Sequence, residues 1–170
     1  MGVQLIRYKT CCFTGHRSLD VADPGMLGEA ICGEVSTLYR FGFDTFLAGG
    51  ALGFDTLAAR EILRMKLSPD FSGLKLVLVL PYLGQESRWP PMDRAMYDYI
   101  RERADDVIYT GDVYANGLLL RRNRYMVDHS AHCIAFLDEK RSRGGTLYTV
   151  RYARQNGVSV TNIYNRLSNP

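Results

Sequence analysis

Residues Leu74–Leu80 are apolar at every position except Lys75. A strand without polar alternation must be covered on both faces, and helices packed on either side of a parallel sheet provide that cover. The rest of the chain fits the same plan. Leu5–Phe13 reads as a first strand, broken at Thr14-Gly15-His16-Arg17-Ser18. Asp23-Pro24 offers an N-cap followed by proline at the first helical position. Met26, Leu27, Ala30, Ile31, Val35, Leu38 and Tyr39 then recur at helical spacing up to a stop near Gly42. Thr45–Ala48 predicts a short strand ending in Gly49-Gly50, and Ala51–Lys66 predicts a helix. Beyond Pro81 come a helix over Met92–Arg103, a strand over Asp106–Thr110, and a helix over Gly117–Ser130. His132–Leu137 reads as another buried strand, Gly144-Gly145-Thr146 opens the last helix, which runs to about Asn156-Gly157, and Val158–Tyr164 reads as the last strand.

Alternation of about six strands with about five helices predicts an α/β fold, an open, mostly parallel, Rossmann-like sheet with helices on both faces. A single domain over residues 1–170 accounts for the whole chain. At 170 residues with 46% hydrophobic content, such a domain buries roughly 70% of its unfolded surface and needs no disulfide or metal staple. No apolar run approaches the roughly 20 residues of a membrane span, and Lys9 interrupts the first apolar stretch, so the reading is cytoplasmic, without a span or signal peptide. Cys11, Cys12, Cys32 and Cys133 lack C-x-x-C spacing, and His16, His129 and His132 are scattered. Buried free thiols and no metal site are therefore expected. A net charge of +3, from 21 basic and 18 acidic residues, is too mild to call for nucleic acid as partner.

In doubly wound sheets ligands bind outside the carboxyl ends of the strands, and the unusual residues fall there. Thr14-Gly15-His16-Arg17 offers a hydroxyl, a close backbone approach, an imidazole and a guanidinium fork suited to phosphate. Gly49-Gly50-Ala51-Leu52-Gly53-Phe54-Asp55 sits where a strand passes into a helix, and its freed N–H groups suit an anion. Asp55 fits either an acid in the first helical turn or an acceptor for ribose hydroxyls. Neither a G-x-G-x-x-G nor a Walker motif is present, so nucleotide hydrolysis lacks its lysine and its magnesium ligand. Arg143-Gly144-Gly145-Thr146 repeats the glycine-to-helix pattern, and the two turns together point to one shared anion crevice. Gln85, Arg88 and Trp89 occupy the loop between, where the indole would stack a base or plug the loop. Arg121-Arg122-Asn123-Arg124 on a helix reads as a solvated face.

Thr14–Arg17, Gly49–Ala59, Pro81 with Gln85 and Trp89, Arg122-Asn123 with Met126, and Gly144–Thr146 with Ala153 together resemble the YpsA-type branch of the SLOG (Smf/DprA and LOG) superfamily, over nearly the whole chain. That resemblance implies a Rossmann-like fold, a link to bacterial cell division and nucleotide-derived ligands such as ADP-ribose-like molecules. LOG relatives are phosphoribohydrolases whose acidic residue follows a Gly-Gly-x-Gly-Thr turn; here Leu147, Tyr148 and Thr149 follow Thr146 with no carboxylate. The tryptophan of the YpsA pattern is replaced by Leu57, which leaves stacking to Trp89.

The expected function is binding of a nucleotide or nucleotide-like small molecule, as a sensor or regulatory module, with no required cofactor. Thr14, Gly15, Arg17, Gly49, Gly50, Gly53, Asp55, Gln85, Trp89, Asn123, Gly144, Gly145 and Thr146 are the candidate ligand residues. The alternative is LOG-like N-glycosidic hydrolysis, with Asp55, Asp138 and His16 as catalytic candidates. A second alternative is DprA-like binding of single-stranded nucleic acid through Arg121–Arg124, which the mild charge does not favour. Fold analogy alone admits a homodimer.

Overall fold

The computed structural model describes residues 1–20 and 22–167. Six strands, β1 (Thr10–Gly15), β2 (Thr45–Ala48), β3 (Lys75–Leu80), β4 (Asp106–Tyr109), β5 (His132–Phe136) and β6 (Ser159–Asn162), form one sheet in the order β4-β3-β2-β1-β5-β6. Every pairing is parallel. The helices are α1 (Pro24–Arg40), α2 (Phe54–Met65), α3 (Pro91–Arg103), α4 (Leu118–Asp128), α5 (Gly145–Gln155) and the short α6 (Tyr164–Leu167). Among the described residues no helix is long and apolar enough to cross a membrane.

Period-two alternation along the strands divides the core. Cys11, Phe13, Phe46, Ala48, Leu76, Leu78, Leu80, Ile134 and Phe136 pack with α1, α2 and α3. The intervening Cys12, Leu47, Val77, Val79 and Cys133 meet Met126 and Val127 of α4 and Ala153 of α5. Every residue of Leu74–Leu80 except the exposed Lys75 is buried, as the composition demands. The chain steps outward from β1 to β4 with α1–α3 on one face. It then returns through α4 across the other face to place β5 beside β1. That reversal makes the β1/β5 border the topological switch point, where a crevice opens beyond the strand ends.

Three boundaries differ from the sequence reading. Leu5–Phe13 is not one strand: Arg7–Lys9 forms a 3-10 turn, closed by Lys9 N–H (2.8 Å) and Thr10 Oγ1 (2.8 Å) donating to Ile6 O. Arg7 and Lys9 could not both be buried in a strand flanked on each side, so β1 begins where charge ends. The last strand stops at Asn162, whose side chain continues the ladder: Leu137 N–H donates to Oδ1 (3.0 Å) and Nδ2 donates to Leu137 O (2.8 Å). Tyr164, placed in that strand by sequence, instead opens α6. The helix expected from Ala51 begins only at Phe54.

Candidate functional site

A cleft of about 650 Å³ lies at the switch point. Its lining joins the end of β1 (Thr14–Ser18), the loop and helix after β2 (Ala51, Asp55), α4 (Leu119, Leu120, Arg122, Asn123, Met126) and the turn into α5 (Arg141, Arg143–Thr146). Four of these residues are arginines, Arg17, Arg122, Arg141 and Arg143, and one is a carboxylate, Asp55.

The two glycine turns behave differently. At α2 the chain satisfies itself: Phe54 N–H donates to His16 O at 3.1 Å, and the Asp55 carboxylate accepts from Ala51 N–H at 3.4 Å. Gly53 has φ +81°, and a Cβ there would overlap the carbonyl of Arg17. At Gly49 the place of a side chain is taken by the Arg122 guanidinium and the Asp55 carboxylate. Gly49, Gly50 and Gly53 are thus close-packing positions that do not line this cleft. The turn into α5 is open. Gly144 (φ +130°) gives no side-chain cap, and Tyr148 N–H, donating to Gly144 O at 3.0 Å, makes the first backbone bond of the helix. The N–H groups of the first turn consequently point outward, with the positive end of the helix dipole behind them. A Cβ on Gly144 or Gly145 would meet nothing within 4 Å.

Arg122 is the residue that the sequence reading misplaced. It is 4% exposed and donates to the carbonyls of Gly49 and, at 3.4 Å, Val79, with Nε donating to Asn123 Oδ1 at 2.7 Å. Leu118, Arg122 and Met126, spaced by four, form the buried stripe of α4. A lone arginine at an inward position of that stripe was the available signal. Arg121 and Arg124 are exposed, as expected of a solvated face. Burial depresses the affinity of Arg122 for its proton, and Asp55 opposes that shift. Burial likewise raises the Asp55 carboxyl above its ordinary value, countered by Arg122, by the Ala51 N–H and by Arg17.

Asn123 links this buried pair to the open turn. Its Nδ2 donates to Thr149 Oγ1 (2.9 Å), which donates to Gly145 O (2.8 Å), so α4 fixes the first turn of α5 through side chains. Arg17, Arg141 and Arg143 are exposed, and among the described residues they carry no salt bridge.

Of the catalytic candidates, Asp55 and His16 line the cleft and Asp138 does not. His16 Nε2 accepts from Asp138 N–H at 2.9 Å, which fixes the imidazole as neutral with its proton on Nδ1. Burial, then Arg141, lowers its proton affinity, and Asp138 opposes them. Asp138 turns its carboxylate to Lys140 N–H at 3.0 Å and does not line the cleft. Gln85 donates to Gly50 O at 3.2 Å, and Trp89 packs edge-on against Tyr97, with ring centroids 5.5 Å apart at 82°. Neither reaches the cleft. Strand order explains this: β3, which ends in their loop, is separated from β1 by β2, about 10 Å across the sheet.

An open parallel sheet with a basic crevice at its switch point and a glycine-opened helix N-terminus defines a doubly wound α/β protein. The YspA SLOG family model matches residues 11–165, and the chain belongs to that family. Relatives include a UPF0398 protein of Bacillus cereus (strain B4264), 25% identical over 158 residues, covering 88% of this chain and 84% of the relative. A UPF0398 protein of Staphylococcus epidermidis is 24% identical, covering 78% and 74%. Among solved structures, DNA processing protein A from Helicobacter pylori superposes with a TM-score of 0.62 at 17% identity, over 89% of this chain and 63% of that one. DNA processing protein A (DprA) from Streptococcus pneumoniae gives 0.62 at 22% identity, over 95% and 54%. At these identities the likeness is one of fold, and this chain spans less than two thirds of either DprA chain.

Proposed function

We propose that the cleft binds the phosphate of a nucleotide or nucleotide-derived small molecule at the N-terminus of α5. The observation that carries this reading is the convergence of Arg17, Arg141 and Arg143, none in a salt bridge among the described residues, on the uncapped Gly144–Thr146 turn, with Asp55 as the sole lining carboxylate. Arginine forks and first-turn N–H groups are the standard complement of phosphate oxygens. Asp55, acceptor-only when ionised, suits sugar hydroxyls. His16 Nε2 and the Asp138 carboxylate are taken up by backbone N–H groups and no carboxylate follows Thr146, which leaves Asp55 as the remaining catalytic candidate and favours binding over N-glycosidic hydrolysis. A thermal-shift panel of AMP, ADP-ribose and NAD tests the reading: a ligand of the native state must raise the melting temperature, and no response from any of them rejects it. Incubation with nucleoside monophosphates and chromatography for free base tests the hydrolase alternative, for which release of base is the required result.

A second reading has one specific observation behind it: the H. pylori DprA structure concerns a single-stranded DNA binding mode. The same unpaired arginines suit a backbone of phosphates, so single strands remain a reading that the mild net charge alone does not dismiss. Oligonucleotide binding that weakens steeply with salt, with no response to mononucleotides, supports this reading over the first.

A further inference from the structure

The cleft is chemically two-sided. One part carries the arginines and the open turn of α5; another is the first turn of α4, where Leu119 and Leu120 line the cavity at 41% and 37% exposure. Leu118 beside them is buried, as are Phe13 and Met126 deeper in the cleft. Leu119 and Leu120 fall off the inward Leu118–Arg122–Met126 stripe, so the core does not use them. Scattered exposed leucines need no explanation, but two adjacent ones sharing a cavity with an anion site do.

The residue expected to supply a flat surface for a base is out of reach, since Trp89 packs against Tyr97 and the core formed with α1–α3. Among the described cleft residues, Leu119 and Leu120 are the large apolar side chains with surface to offer. Three chemistries are then present in one cavity: cations and N–H groups for phosphate, a carboxylate for sugar hydroxyls, and an aliphatic face.

We propose that Leu119 and Leu120 form the platform on which the base of a bound nucleoside phosphate lies. The proposal rests on the anion reading above and names the part of the ligand that the arginines do not hold. An aliphatic platform presents no hydrogen-bonding edge, so selectivity follows apolar area. Purines bind better than pyrimidines, and adenine is little distinguished from guanine.

Calorimetric titration of AMP and of ribose 5-phosphate into the wild type, Leu119→Ser/Leu120→Ser, Trp89→Phe and Arg17→Ala tests it. Both leucines are off the buried stripe of α4, and circular dichroism with the melting temperature checks that the double variant is folded. Wild type is expected to bind AMP about tenfold more tightly than ribose 5-phosphate. The double leucine variant removes that advantage with ribose 5-phosphate affinity unchanged, and Trp89→Phe retains it. An AMP advantage that survives the leucine substitutions, or is lost with Trp89, overturns the platform. Equal wild-type binding of the two compounds, both weakened by Arg17→Ala, overturns the platform while leaving the anion site standing. Binding of neither compound overturns both.

Discussion

Replacing Arg122 by methionine keeps most of the side-chain volume and removes the charge and its donors. The guanidinium serves the carbonyls of Gly49 and Val79 and the Asn123 side chain, all in a position 4% exposed, and its charge is the strongest influence opposing the burial that raises the Asp55 carboxyl. Its loss leaves a buried carboxylate without its compensating positive charge and the Gly49 and Val79 carbonyls without their side-chain donor, a situation that costs about 3–5 kcal/mol. For a chain of this length that corresponds to a fall in Tm of about 6–20 °C. Part of this cost comes from the stranded Asp55, so neutralising it should return some of the loss. Asp55→Asn/Arg122→Met should be more stable than the sum of the single effects by about 1–3 kcal/mol. Urea unfolding of the four proteins, followed by circular dichroism, measures the cycle. A loss below about 1 kcal/mol for Arg122→Met, or strict additivity in the double variant, would refute the claim that a coupled buried pair underlies the cleft.

Gly53→Ala introduces a Cβ into the Arg17 carbonyl at a φ of +81°. It should destabilise the protein by about 2–4 kcal/mol in urea unfolding, and a loss under 1 kcal/mol would contradict the described packing. His16 and His132 are both held below the ordinary 6.5, chiefly by burial. The unfolded chain therefore takes up these protons first as pH falls. Stability should be full above about pH 6.5 and decline as pH drops from there through the lower folded values. His16→Gln should flatten part of the difference between urea midpoints at neutral and mildly acid pH; an unchanged slope would remove His16 from that account. Asn123→Leu cuts the relay to Thr149 and Gly145 O. Amide exchange at Tyr148–Val150, the first hydrogen-bonded amides of α5, should become faster, with the β1 and β5 amides unaffected, whereas unchanged exchange there would show that the relay does not hold the turn.

Much of the fold could be read from residue patterns because burial on both faces imposes composition. The Leu74–Leu80 run marked β3, and Asp23 does cap α1, accepting from Met26 N–H at 2.9 Å. The open turn at Gly144–Gly145 was visible for the same reason, since consecutive glycines ahead of an apolar stripe leave a helix start bare. Side-chain destinations were less legible. Gly49 and Gly53 carry the same residue type as Gly144, yet one gives room to Arg122 and Asp55 and another to the Arg17 carbonyl; only the packing of distant segments separates these roles. Trp89 went astray because its place depends on strand order, which local periodicity does not encode. Arg122 was legible in principle, as an inward position on α4, but its charge argued for solvent until the carbonyls of Gly49 and Val79 were seen to receive it.

The central claim is that the arginines around the α5 turn hold a phosphate-bearing small molecule. Isothermal titration of AMP into the wild type and into Arg17→Ala/Arg143→Ala tests it most directly. Saturable binding that weakens by at least tenfold in the double variant, about 1.4 kcal/mol or more for charge-assisted contacts of this kind, is the predicted result. An affinity that the double substitution leaves unchanged would contradict the account.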